Sequence, residues 1–172
     1  MAMLAGFARS AVDPRLAREL RAEIEEFHAE YCAALDENRL EDWVSFFTPD
    51  AVYRITSREN AEAELPVGLV YCEGAGMLRD RALAIAKTAM FAPRYLQHQV
   101  GNIRVLGVSG DGIVSAQANY LLFQTLVDEK TTIHQVGRYF DRFVRAGARV
   151  LLRERHCVYD SVLLDNSLVL PV

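Results

Sequence analysis

The sequence predicts an α+β fold: three N-terminal helices packed in the concave face of a strongly curved, mostly antiparallel sheet of about six strands, a half-open cone. Three observations predict it. Leu16, Leu20, Ile24, Phe27, Tyr31 and Leu35 recur at helical spacing, whereas beyond Pro93 the pattern changes to that of extended strands. The extended runs are joined by links short enough for antiparallel neighbours, such as Asp128-Glu129-Lys130. The runs also exceed the usual strand of about five or six residues, so the sheet must twist and coil, with bulges.

Residues 1–12 are expected to form an extended arm that wanders or reaches towards another subunit. Asp13-Pro14 opens the first helix: the carboxylate caps free N–H groups, and Pro at the first turn lacks an N–H that would go unbonded anyway. Its apolar stripe lies on a core, and the helix stops near Glu37-Asn38, where Asn tolerates a left-handed cap. A short second helix is predicted from Leu40 to Phe47, ended by Thr48-Pro49-Asp50 because the residue before Pro disfavours the helical region. Ala51 to Ile55 reads as a strand, Ser57 to Pro66 as a solvated acidic loop, and Val67 to Cys72 as a second short strand. The third helix runs from Gly76 to Met90, just short of Pro93. Tyr95 to Val108, Ile113 to Val127, Thr132 to Val144 and Arg149 to Tyr159 then form a four-stranded meander. In the second of these, Val114, Ala116, Ala118, Tyr120 and Leu122 share one face, and Ser115, Gln117 and Asn119 the other. The last two meet at Arg145-Ala146-Gly147-Ala148, where Gly147 can take the positive φ of a turn. The apolar tail, Leu168 to Val172, is expected to dock on the body of the protein.

At 172 residues the chain fits one domain, residues 1–172. A net charge of -4 with no Lys/Arg cluster on one helix face is the wrong field for phosphates, so no nucleic acid partner is expected. The apolar run Met1 to Ala8 is shorter than a signal-peptide core and far shorter than a membrane span; no membrane association is expected, and the expected location is cytoplasmic. Cys32, Cys72 and Cys157 lie far apart and are odd in number, which fits buried structural thiols. No Cys-x-x-Cys, Cys-x-His or His-x-x-x-His spacing occurs, so a self-contained iron–sulfur, zinc or facial-triad iron site is not expected, although scattered ligands could converge in space. Hydrophobic content of 51% exceeds what one modest core needs and points to apolar surface kept for a partner.

The junction Trp43 to Phe47, then Thr48-Pro49-Asp50-Ala51-Val52-Tyr53, resembles that of the cone-shaped superfamily of nuclear transport factor 2, ketosteroid isomerase and scytalone dehydratase. A wider set is more specific: Trp43 to Thr48, Tyr53-Arg54-Ile55-Thr56, Met77-Leu78-Arg79-Asp80-Arg81, Gly137-Arg138-Tyr139-Phe140-Asp141-Arg142-Phe143 and the ending Leu168 to Val172. Together these resemble the small, or beta, subunit of bacterial aromatic-ring-hydroxylating dioxygenases, from about residue 20 onwards. The resemblance implies a non-catalytic chain with no cofactor of its own. It implies a large (alpha) oxygenase subunit as partner, carrying a Rieske iron–sulfur cluster and a mononuclear iron. Self-association as a trimer within a hexamer of three large and three small subunits would follow, with a reductase and in some systems a ferredoxin delivering electrons. The loop from Thr56 through Val70-Tyr71-Cys72-Glu73 looks nearer to small subunits of enzymes acting on aromatic carboxylates.

The same superfamily includes enzymes that use an Asp, or a His-Asp pair, as general base in the cavity between helices and sheet. The alternative reading is therefore a stand-alone isomerase, dehydratase or cyclase with Asp42, His98 and His134 as candidates, and Asp36 beside them. Against it, Asp42 lies in a helix first turn, where a carboxylate complements the dipole, and Asp36 lies at a helix end. His134 shares its strand parity with Val136 and Phe140 but also with Arg138 and Arg142, as an interface residue would. A third reading is a ligand-binding or adaptor module of the same fold. His28 reads as a half-buried polar contact, His156 as sheet surface or interface, and Arg138, Arg142, Arg153 and Arg155 as interface or solvated cross-strand pairs. Gly74-Ala75-Gly76 and Gly110-Asp111-Gly112 lack the context of a phosphate loop.

Overall fold

The computed structural model describes residues 4, 6–147, 149–161, 163 and 168–172; Ala148 and much of the segment before the apolar tail lie outside them. Helix α1 (Pro14–Asp36) begins where the sequence places it, with the Asp13 carboxylate accepting N–H bonds from Arg15 and Leu16 at 2.9 and 3.1 Å. It buries Leu20, Ile24, Phe27, Tyr31 and Leu35, and the chain leaves it through Asn38 at φ +58°. Helix α2 (Leu40–Val44) is shorter than the predicted Leu40 to Phe47. The sheet takes the end of it: the Phe46 carbonyl accepts from the Leu152 N–H, and Phe47 already pairs with Leu152. Strand β1 (Phe47–Ser57) therefore starts before Pro49, and the register shift between Phe47 and Val52 accommodates a residue with no N–H to give.

The predicted loop after β1 contains a helical turn, α3 (Arg58–Glu62), capped by the Ser57 hydroxyl, which accepts from the Asn60 N–H at 3.1 Å. Strand β2 (Val70–Glu73) and helix α4 (Gly74–Lys87) follow, both shifted a few residues from their predicted bounds. The order is thus helix, helix, strand, helix, strand, helix and four strands. Those strands are β3 (Arg94–Val108), β4 (Val114–Leu126), β5 (Thr132–Ala146) and β6 (Arg149–Tyr159). One six-stranded sheet has the order β2-β1-β6-β5-β4-β3, antiparallel except where β1 runs parallel to β6. The meander and the turn at Gly147, with φ +67°, are as predicted. Register shifts interrupt each of the β3–β4, β4–β5 and β5–β6 pairings and allow the sheet to coil around the helices. The face of β4 read from its alternation, Val114 to Leu122, is buried throughout.

Two features seal the sheet's margin and outer face. Edge strand β3 would expose unpaired backbone groups to any passing strand. Here the His98 N–H donates to both oxygens of Asp36 at the end of α1, and the Leu106 carbonyl accepts from the Ser10 N–H at 2.8 Å. The described part of the N-terminal arm also does not wander. Phe7 is buried on the outer face, edge-on to Phe140 with centroids 5.6 Å apart and to His156 at 6.0 Å, under the Arg142 guanidinium at 5.0 Å. Its own sheet captures it because an aromatic residue there covers apolar surface that would otherwise face water. Among the described residues no helix is long and apolar enough to cross a membrane.

Candidate functional site

Strand alternation on β5 and β6 turns Tyr139, Asp141, Phe143, Arg155 and Cys157 inward, onto the face covered by α1. Arg155 is fully buried there, contrary to the interface or solvated role read from the sequence. Its Nε and Nη2 donate to the two Asp141 oxygens at 2.9 and 2.7 Å, the bidentate geometry that a guanidinium matches best. The plane of the guanidinium lies between the rings of Tyr31 and Tyr139, 4.3 and 4.1 Å from their centroids. His28 completes the group: it is buried, stacks on Tyr139, and its Nδ1 lies 3.4 Å from Arg155 Nη2. Tyr139 stacks in turn on Tyr120, whose hydroxyl donates to Gln135 Oε1 at 2.7 Å.

The electrostatics suit a structural cluster. Burial pushes the phenols of Tyr31, Tyr53, Tyr120 and Tyr139 up, and it pushes the Cys32 and Cys157 thiols up to about 12, so none supplies a nucleophile at neutral pH. The Asp141 charge holds the Arg155 guanidinium protonated. Burial first, and the Arg155 charge second, hold His28 well below its ordinary value of 6.5. A buried base that stays neutral in the folded state binds fewer protons than the unfolded chain once the pH falls below about 6.5. Stability is therefore full above about pH 6.5 and declines below it, by up to about 1.4 kcal/mol per pH unit for this one group. Denaturant titrations at stepped pH should show that slope, and His28→Asn should flatten it.

The candidates of the alternative reading are only partly brought together. Asp42 is exposed and accepts from Arg39 Nη1 at 2.7 Å. His98 is buried and its Nδ1 lies 2.6 Å from Asp36, so a His-Asp pair exists, but with Asp36 rather than Asp42. That carboxylate also holds the His98 N–H, which fixes strand β3 to the end of α1. His134 is buried too, because the register shift between Leu122 and Phe123 makes it the extra residue of a bulge on β5 and turns it in beside Gln135. Parity alone puts it on the outer face. The surface clefts lie elsewhere. One runs between α2 and α4 over Val44, Phe47, Ala82 and Leu83, and another has a floor of Phe27, Phe46, Val150 and Leu151 rimmed by Glu23, Glu26 and Glu30. Neither is lined by His98, His134 or Asp36.

The remaining histidine, His156, is covered by Phe7 and holds Glu154 at 2.6 Å, while Arg142 pairs with Glu154 at 2.7 Å and Arg153 lies 3.6 Å from Asp50. Tyr139 and Phe143 are core residues, and Phe140 is capped by the chain's own Phe7. Among the described residues no three His, Cys, Asp or Glu side chains group to hold a metal ion. No local pattern signals the Arg155–Asp141–His28 cluster in the sequence, since each partner comes from a different element.

A SnoaL-like domain model matches residues 17–156. The chain is 30% identical over 142 residues to the anthranilate 1,2-dioxygenase small subunit of Burkholderia cepacia, spanning 83% of this chain and 88% of that one. It is 29% identical to a terephthalate 1,2-dioxygenase terminal oxygenase component subunit beta from a Comamonas species, over 87% of this chain and 97% of the other. A Novosphingobium aromaticivorans structure, assigned as the beta subunit of an aromatic-ring-hydroxylating dioxygenase, superposes with a TM-score of 0.82 at 37% identity, covering 90% of this chain and 98% of that one.

Proposed function

The chain belongs to the SnoaL-like domain family and, within it, to the small subunits of aromatic-ring-hydroxylating dioxygenases; from that premise we propose that it is the structural base of a multi-subunit oxygenase acting on an aromatic carboxylate. The observation that carries this reading is the breadth of the likeness, which spans nearly the whole chain and its relatives alike. The relatives are subunits of dioxygenases named for anthranilate and terephthalate, both aromatic carboxylates, and that supports the substrate class. Reaction chemistry and the iron centres belong to a large oxygenase subunit, with a reductase, alone or through a ferredoxin, supplying electrons. Three copies of this chain form a trimeric base that fixes three large subunits in a ring, a positioning role in a cytoplasmic hexamer. Exposed apolar side chains support an obligate partner: Val67, Leu69 and Tyr71 beside edge strand β2, and Tyr95, Val127 and Ile133 at the far side of the sheet.

Purification of the tagged chain from its native host tests the reading. A red-brown complex of hexamer mass, containing iron, is the expected result; a colourless lone chain that turns over a substrate overturns it. Within the assembled oxygenase, Asp42→Asn and His134→Gln should leave turnover within about twofold, whereas loss of a working general base costs about 10²–10⁴-fold. Steady-state rates per iron, measured on complexes of matched composition, separate the two.

A further inference from the structure

Residues 168–172 form no strand or helix, yet Val172 is fully buried and Leu170 is 8% exposed. Side chains, not a backbone ladder, hold the segment. The Val172 N–H donates to Tyr53 Oη at 2.9 Å, and the Tyr31 and Tyr53 hydroxyls each donate to the Val172 oxygen at 3.0 Å. Trp43 Nε1 donates to Tyr31 Oη at 2.9 Å and so fixes which way that hydroxyl points. Cys157 Sγ lies 3.6 Å from the same Val172 oxygen, and an Arg81 Nη donates to the Val169 carbonyl at 3.3 Å. Donors from α1, β1 and β6 therefore converge on one residue of an irregular segment, with α2 behind them through Trp43. A protein recognises a small ligand in the same way, with an apolar enclosure and a few aimed polar groups.

We propose that the interior between helices and sheet where Tyr31, Trp43 and Tyr53 meet is a ligand site occupied by the chain's own residues 168–172. The site takes a molecule with a branched apolar body next to an N–H donor and an oxygen acceptor, as the end of a short Leu-Pro-Val peptide or an N-acyl amino acid presents. Tyr53 Oη is the discriminating group, because it donates to the oxygen and accepts from the N–H of the same residue. Tethering gives the segment a high effective concentration, so a free ligand competes only where the tail is absent or displaced. This inference stands apart from the oxygenase assembly and concerns the small chain alone.

Three measurements test it. In the full chain, the Val172 amide should exchange with solvent deuterium far more slowly than in a free peptide, and Tyr53→Phe should accelerate it at least about tenfold, since the loss of one buried partner corresponds to roughly 1.4 kcal/mol or more. A variant lacking residues 168–172 should melt roughly 10 °C lower, and the free peptide Leu-Val-Leu-Pro-Val at about millimolar concentration should raise that melting point saturably. Adding Tyr53→Phe to the shortened variant should abolish the rise. Free-peptide exchange rates at Val172, or no response of that rate to Tyr53→Phe, overturn the proposal even if the shortened chain fails to fold. A shortened chain that folds but shows no saturable response to the peptide overturns it as well.

Discussion

Asp141→Ala should destabilise the chain by about 3–5 kcal/mol, which for a domain of this size lowers the melting temperature by roughly 10 °C or more. Asp141 is 1% exposed and supplies both acceptors to a guanidinium that is itself fully buried. Without it, Arg155 keeps its charge with no counterion inside a ring of Tyr31, Tyr139 and Phe27, where the faces of the rings offset only part of the desolvation. The pair as a whole is another matter, because two well-paired buried charges often contribute little beyond hydrophobic residues of equal volume. The double variant Asp141→Leu with Arg155→Met should therefore recover a large part of the loss. Urea midpoints for the two singles and the double give the coupling directly. A single Asp141→Ala costing less than about 1 kcal/mol would place the pair in solvent contact, at the value of exposed bridges such as Arg39–Asp42 or Arg145–Glu23.

That cluster marks the boundary of what the sequence could disclose. Elements governed by local chemistry were legible: Asp13-Pro14 fixes the start of α1, Asn38 its end, and the alternation along β4 its buried face. The helical turn α3 was also legible in principle, since Ser57 is an N-cap residue type with Glu59 in the turn that follows, a signal that the acidic composition obscured. Other features depend on register. Arg155 and Asp141 read as ordinary strand charges until β5 and β6 are paired, and only the pairing of Asp141 with Arg155 puts both on the covered face. The bulge at His134 reverses the orientation that counting by twos assigns, because one extra residue changes which side every preceding position faces.

Which of the candidate residues meet was hidden for a related reason. Spacing shows that a histidine and an aspartate exist, not which of several aspartates the fold delivers. The end of α1 delivers Asp36 to His98, and the short helix α2 leaves Asp42 in solvent against Arg39. The Asp36–His98 contact then ties α1 to an edge strand and shields its backbone, a stability role that a motif cannot convey.

Gly137→Ala is expected to cost on the order of 3 kcal/mol although its backbone conformation requires no glycine. A Cβ at this position would lie 2.8 Å from Tyr120 Oη and 2.8 Å from the Tyr159 Cα, and would press on the Val158 carbonyl oxygen as well. Two of those three atoms are backbone, so a side-chain rotation cannot relieve the clash, and β5 must part from β6 next to the His134 bulge. Moving Tyr120 instead would break its bond to Gln135, which is fully buried. The two causes are separable: Tyr120→Phe removes only the hydroxyl contact, so Gly137→Ala combined with Tyr120→Phe should remain destabilised by most of the original amount if the backbone contacts dominate. Urea unfolding of the four proteins in that cycle measures it. Full recovery in the double variant would mean that the close approach of Tyr120, not the strand spacing, makes glycine necessary between β4 and β6.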